Sequence, residues 1–212
     1  MTPQLSATQR PRPAKRSSAR REAILAAALD DFVDKGFEAT TIEDVRARSG
    51  ASNGSIYHHF ASKEEIAGAL YVEALADYQG GFLEVLERAP TAEAGVKDGV
   101  RYHLRWVAEN PKRARFLLYR REAEVRRVTQ AAVRASNSQL FAAVTSWLTP
   151  RMESGTMRHL PADVCYAAWL GAAQEFARLW LSGALETPID EAAEALAGAA
   201  WRSLGQASSE RT

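Results

Sequence analysis

Apolar residues recur at three- and four-residue spacing along most of the chain, and no segment shows a convincing two-residue alternation of strand type. The first stripe is Leu25, Ala28, Leu29, Phe32 and Val33. It predicts a helix over 19–35, ended by Gly36. Thr41-Ile42-Glu43-Asp44 has the spacing of a capping box and opens a short helix to about residue 49, broken by Gly50. Ser52 suits the N-cap of a third short helix reaching about Phe60. Ser62-Lys63-Glu64-Glu65 is a second capping box, opening a longer helix over 62–88 that Gly80-Gly81 weakens. After the break at Ala89-Pro90, Val96, Val100, Leu104 and Val107 mark a fifth helix over 91–109. Asn110-Pro111 starts a sixth, to about residue 121. A seventh covers 123–148 and ends near Pro150. An eighth runs from Pro161 to near Gly183. The ninth, capped by Thr187-Pro188-Ile189-Asp190, carries the stripe Ala193, Leu196, Ala197, Ala200, Trp201 and Leu204. The expectation is an all-α protein of about nine helices.

A length of 212 residues suits one or two domains, and 46% apolar with 25% charged residues is an ordinary globular balance. The single cysteine, Cys165, excludes an intramolecular disulfide and a Cys-rich zinc site, and fits a reducing compartment. There is no run of 18 uncharged apolar residues and no apolar core behind the basic N-terminus, so neither a membrane span nor a secretory signal is expected. A cytoplasmic protein follows as the expectation. Net charge is +1, but its distribution is uneven. Residues 1–21 hold six arginines and lysines and no acid, whereas residues 22–66 hold four cations against nine acids. Pro3, Pro11, Pro13, Ser17 and Ser18 make residues 1–18 a flexible arm, either merely solvated or meeting phosphates.

The stretch from Gly36 to Lys63 carries the chemistry. Two short capped helices flank the tight turn Gly50-Ala51-Ser52, which is a helix-turn-helix pattern. Ile42, Val45, Ile56 and Phe60 are spaced to pack the pair on the first helix, leaving Ser52, Asn53, Ser55, Tyr57 and His58 outward. Small polar side chains at a helix N-terminus suit a major groove, because the backbone can approach closely and the dipole favours phosphate. His58-His59 is not a metal pair, since adjacent helical residues point about 100° apart.

This segment resembles the DNA-binding domain of tetracycline-repressor (TetR) type regulators. The residues that carry the likeness are Gly36-Phe37, Thr40-Thr41-Ile42, Gly50-Ala51-Ser52, Ser55-Ile56-Tyr57-His58-His59-Phe60 and Ser62-Lys63-Glu64, within about 20–70. Asn53 departs from the lysine common in the family. The resemblance implies that Thr41 and Lys63 meet phosphates, and that Ser52, Asn53 and Ser55 reach base edges or phosphates. It also implies that Tyr57 and His58 lie on the DNA backbone and that Gly54 lets the third helix come close. Thr41 and Ser52 are equally helix caps. Carried to the whole chain, it implies an arm over 1–18, a helix-turn-helix domain over 19–66, a ligand-binding and dimerisation domain over 67–205 and a tail over 206–212. The fourth helix links the domains.

No nucleophile elbow, Gly-rich phosphate loop or His/Glu metal pair occurs, so no enzyme, cofactor or metal is expected. The expected function is a ligand-responsive regulator, a homodimeric repressor released from a palindromic double-stranded DNA operator by a small apolar effector. The alternative is an all-helical small-molecule-binding enzyme or carrier without DNA binding. Expected pocket residues are His103, Trp106, Phe116, Tyr119, Trp147, Trp169 and Glu175. Expected dimer residues on the eighth and ninth helices are Trp169, Ala173, Phe176, Ala193, Ala197 and Ala200. His103 also reads as a core histidine, and Glu175 as the partner of Arg178 three residues on.

Overall fold

The computed structural model describes residues 13–118 and 123–206. These form nine α-helices: α1 (Pro13–Lys35), α2 (Ile42–Ser49), α3 (Asn53–His59), α4 (Lys63–Arg88), α5 (Ala92–Glu109), α6 (Pro111–Leu118), α7 (Ala123–Glu153), α8 (Ala162–Leu181) and α9 (Ile189–Leu204). Among the described residues there is no strand, only an isolated bridge between Met157 and Gly205. The chain divides into two compact units at Ala67–Gly68, inside α4.

Three boundaries differ from expectation. Helix α1 begins at Pro13, not near Ala19, so the expected arm over 1–18 overlaps a helix. Proline is tolerated in a first turn, where its missing N–H has no helical acceptor anyway. Residues 1–12 lie outside the described residues. Helix α7 continues through Pro150 to Glu153. Both Pro150 and Ser146, the residue whose carbonyl loses its donor, are exposed, so water can replace the missing bond. The α9 N-cap is Pro188 with no side-chain bond, so Thr187 does not cap it.

In the first unit, Ile24, Leu25, Ala28 and Phe32 of α1 bury against Val45, Ile56, Phe60 and Ile66. In the second, α5 is the central helix and packs on α6, α8 and α9. Its buried face is Val96, Val100, His103, Leu104 and Val107, close to the predicted stripe. Gly95 and Gly99 let indoles lie on that face: a Cβ at Gly95 would stand 2.3 Å from Trp147, and one at Gly99 3.0 Å from Trp169. Both indole N–H groups donate into the interior, Trp147 Nε1 to Leu86 O at 3.0 Å and Trp169 Nε1 to Val96 O at 2.8 Å.

This packing corrects the expected dimer face. Trp169, Ala173, Ala193, Ala197 and Ala200 are at most 7% exposed in the single chain, and Phe176 is half-buried against the same core. Their apolar surface is spent on the chain's own interior, where α5 lies between them and solvent. The faces of α8 and α9 turned outward hold Val164, Ala167 and Ala172, and Ala195, with Gly171, Gly198 and Ala199 half-buried beside them.

Candidate nucleic-acid interface and effector cavity

The reading helix is set by its caps. Thr41 Oγ1 accepts the Asp44 N–H at 3.1 Å while Asp44 Oδ2 accepts the Thr41 N–H at 2.9 Å, a closed capping box. Gly50 ends α2 at φ +62°, a conformation that disfavours side chains, and its N–H bonds to Arg46 O at 3.1 Å. Two residues later Ser52 Oγ accepts the Ser55 N–H at 3.2 Å and starts α3. Ile56 and Phe60 bury, which forces Ser52, Asn53, Gly54, Tyr57 and His58 outward, with Ser55 half-buried. Tyr57 is 56% exposed, unusual for an aromatic with no internal task. A Cβ at Gly54 would meet nothing within 4 Å, so packing does not require that glycine. The His58 and His59 rings sit edge to face at 5.2 Å, and no group of three metal-ligating side chains exists among the described residues.

Four acids of this unit, Asp30, Asp31, Asp34 and Asp44, are engaged in α1–α2 ion pairs. Arg48 reaches Asp31 at 3.0 Å and Asp34 at 3.3 Å; Lys35 reaches Asp44 at 2.7 Å. The Lys35 bond, then those from Thr41, hold the Asp44 carboxyl well below its usual range. Glu43 pairs with Arg46 in the same way. Lys63 differs from expectation. Its Nζ donates to Phe37 O at 2.8 Å, Thr40 O at 3.0 Å and Glu38 O at 3.4 Å, and lies 4.3 Å from the Phe37 ring centre. All three ammonium protons close the α1–α2 turn, so a phosphate must compete with those carbonyls.

The second unit encloses a cavity of about 380 Å³, within the small-molecule range. Tyr78 and Phe82 of α4, Leu140, Phe141 and Val144 of α7, and Tyr166, Trp169 and Leu170 of α8 line it. Asn137, Thr145 and Asp163 are its other polar groups. Of the six expected pocket residues among the described residues, only Trp169 is a wall. Trp106 is buried, with Nε1 donating to Asp77 Oδ2 at 3.0 Å. Trp147 stacks on Trp169 behind the wall, at 5.7 Å between ring centres. Phe116 packs on Tyr71 at 6.4 Å. Glu175 is 57% exposed and pairs with Arg178 at 2.9 Å, the simple surface reading. Tyr119 lies outside the described residues. His103 is a core residue whose Nδ1 lies 2.9 Å from the Tyr78 hydroxyl. The missed walls had a signal: Leu140, Val144 and Leu148 on α7, and Tyr78 and Phe82 on α4, recur at helical spacing.

Residues 24–70 match the profile described as bacterial regulatory proteins, tetR family. The repressor KstR2 of Mycolicibacterium smegmatis is 35% identical over 72 residues, 34% of this chain and 35% of that protein. The chain thus spans about a third of the length of such curated relatives. The repressor AcnR of Corynebacterium glutamicum is 28% identical over 151 residues, 69% of this chain and 73% of its own. A TetR family regulator from Marinobacter aquaeolei has the same fold, with a TM-score of 0.75 at 20% identity over 92% of this chain and 100% of that one. FadR of Bacillus subtilis, solved with stearoyl-CoA, gives 0.73 at 17% identity over 86% and 98%. Residues 24–70 thus carry the tetR-family segment, and the chain as a whole shares the fold of the solved TetR family regulators.

Proposed function

We propose that the protein is a dimeric, ligand-responsive transcriptional repressor that reads a palindromic operator with α3. The observation that carries this is the α3 face: Ser52, Asn53, Gly54, Tyr57 and His58 point outward together while Ile56 and Phe60 anchor the helix. Asn53 and Tyr57 have no hydrogen-bond partner among the described residues, which leaves them available to base edges and backbone. Ser52 and Ser55 offer hydroxyls at the same end, and Thr41 stands exposed at the start of α2 for a phosphate. Two such heads, related by dimer symmetry, match half-sites about one DNA turn apart or a multiple. An effector seated in the α4–α7–α8 cavity touches Tyr78 and Phe82, and α4 also carries Lys63 at its start, so occupancy is read by the helix that supports the α1–α2 turn.

Selection from random duplexes by the full-length protein tests the reading. A palindromic consensus is the expected result. Asn53→Ala relaxes preference at one or two base pairs, costing about 1–3 kcal/mol for each base that the shortened side chain no longer reads. A protein that enriches no sequence at low salt would discard it.

A further inference from the structure

We propose, resting on α3 as the reading helix, that the phosphate-binding charge of the first unit lies on Arg20 of α1, and that Lys63 is a positioning residue instead of a DNA contact. Duplex DNA binds through cations that displace its counterions, so a reading head needs cationic groups with donors to spare. Residues 22–66 hold four cations, and all four are engaged. Lys35 reaches Asp44 at 2.7 Å and Asp31 at 3.4 Å. Arg46 donates from Nε to Glu43 Oε2 at 2.7 Å. Arg48 sits among Asp30, Asp31 and Asp34. Lys63 spends its protons on the carbonyls of Phe37, Glu38 and Thr40. That turn is itself tied down, because the buried Thr40 Oγ1 donates to Gly36 O at 2.8 Å with Asp31 O at 3.1 Å. The ammonium thus fixes where α2 begins, at its cap Thr41.

Arg20 is placed differently. Residues 1–21 contain no acid to neutralise it. Helix α1 packs on both α2 and α3. Arg20 is exposed, and its Nη1 donates to Gly50 O at 3.4 Å, in the turn that leads into α3. Arg21, next in the chain, lies 5.4 Å from the centre of the Phe60 ring, just after α3. The two guanidinium groups therefore stand at opposite ends of the reading helix, where sugar-phosphate backbones flank a helix seated in the major groove. A guanidinium has five donors in a fixed fork. One long bond to Gly50 O aims that of Arg20 and leaves its other donors for phosphate oxygens, which such forks bind in pairs. A bond to the end of α2 alone would make Arg20 a helix cap, and the salt dependence of binding separates the two roles.

Titration of a labelled mixed-sequence duplex with the full-length protein, repeated from about 50 to 300 mM salt, tests this. Arg20→Gln is expected to reduce the slope of log affinity against log salt by about one for each bound head, and to weaken binding by about tenfold at the low-salt end. Arg20→Lys keeps most of that slope, and neither variant shifts the thermal midpoint of the free protein, as loss of a needed cap would. Lys63→Gln is expected to lower that midpoint or to prevent folding of the first unit, effects on the free protein that loss of a phosphate contact does not have. Where it folds, it weakens binding to every sequence at an unchanged slope. An Arg20→Gln protein that retains the original slope overturns the assignment of Arg20. An unchanged midpoint, or a slope reduced by about one per head, in Lys63→Gln overturns that of Lys63. Failure of the unaltered protein to bind any duplex at low salt overturns the reading of α3 and this inference with it.

Discussion

His103 shows how a single residue can be read two ways until its surroundings are seen. It lies on the buried stripe of α5, bonded to the Tyr78 hydroxyl through Nδ1, and its Nε2 has no hydrogen-bond partner. Burial pushes its pKa down to about 4, so the folded protein keeps the imidazole neutral. An unfolded chain takes up that proton below about pH 6.5. Between those values the unfolded state binds the extra proton, so stability is full above pH 6.5 and falls as pH drops toward 4. At pH 4.5 this loss amounts to about 2–3 kcal/mol. Urea unfolding at pH 7 and 4.5 should show it, and His103→Gln should remove most of the difference. An unchanged difference in the variant would assign the pH dependence to other groups. Lys63 makes the same point. Its place in the motif was legible, but its bonds to three carbonyls were not, because those carbonyls come from a turn more than twenty residues earlier.

Elements were legible where the signal is local. The capping box at Thr41, the N-cap at Ser52 and the glycine after α2 are short-range bonds between neighbours, and each stands where the spacing put it. What the periodicity did not give is which neighbour a stripe faces. The alanines of α8 and α9 read as a surface for a second chain, yet Ala173, Ala177, Ala193, Ala197 and Ala200 join Val96, Val100, Leu104 and Val107 of α5 in one buried core. The glycines of the same helix make room for indoles, and Gly95 tests that fit. Alanine there gains roughly 1 kcal/mol of helix propensity, but its Cβ would overlap the Trp147 ring at 2.3 Å. Trp147 is held from the other side by its bond to Leu86 O and by Arg151, 3.9 Å from the ring centre, so it has little room to move. Gly95→Ala should therefore lower stability by about 1–3 kcal/mol, measured as a drop in the thermal midpoint. A rise would mean that the indole shifts freely.

At the scale of the whole molecule, a palindromic operator requires two reading heads, and the face that joins them must be one the single chain leaves open. The corrected surface fits. Val164, Ala167 and Ala172 of α8 and Ala195 of α9 are exposed, with Ala168, Gly171, Gly198 and Ala199 beside them, and α8 packs on α9. Small side chains let two helix pairs approach closely, and an apolar face of this kind is buried in an isologous contact, where each residue meets its symmetry mate or a near neighbour. A charge placed there meets its own copy and must be desolvated as well, at a cost of several kcal/mol. The five buried residues first expected at the interface serve as the contrast. Enlarging Ala197 should damage folding of the single chain, because no solvent-facing space surrounds it. Ala172→Glu should instead leave helix content and thermal cooperativity intact and turn the protein into a monomer in sedimentation at micromolar concentration. Operator affinity should fall steeply with it, since each head then binds one half-site alone. A folded Ala172→Glu protein that still sediments as a dimer would place the interface elsewhere.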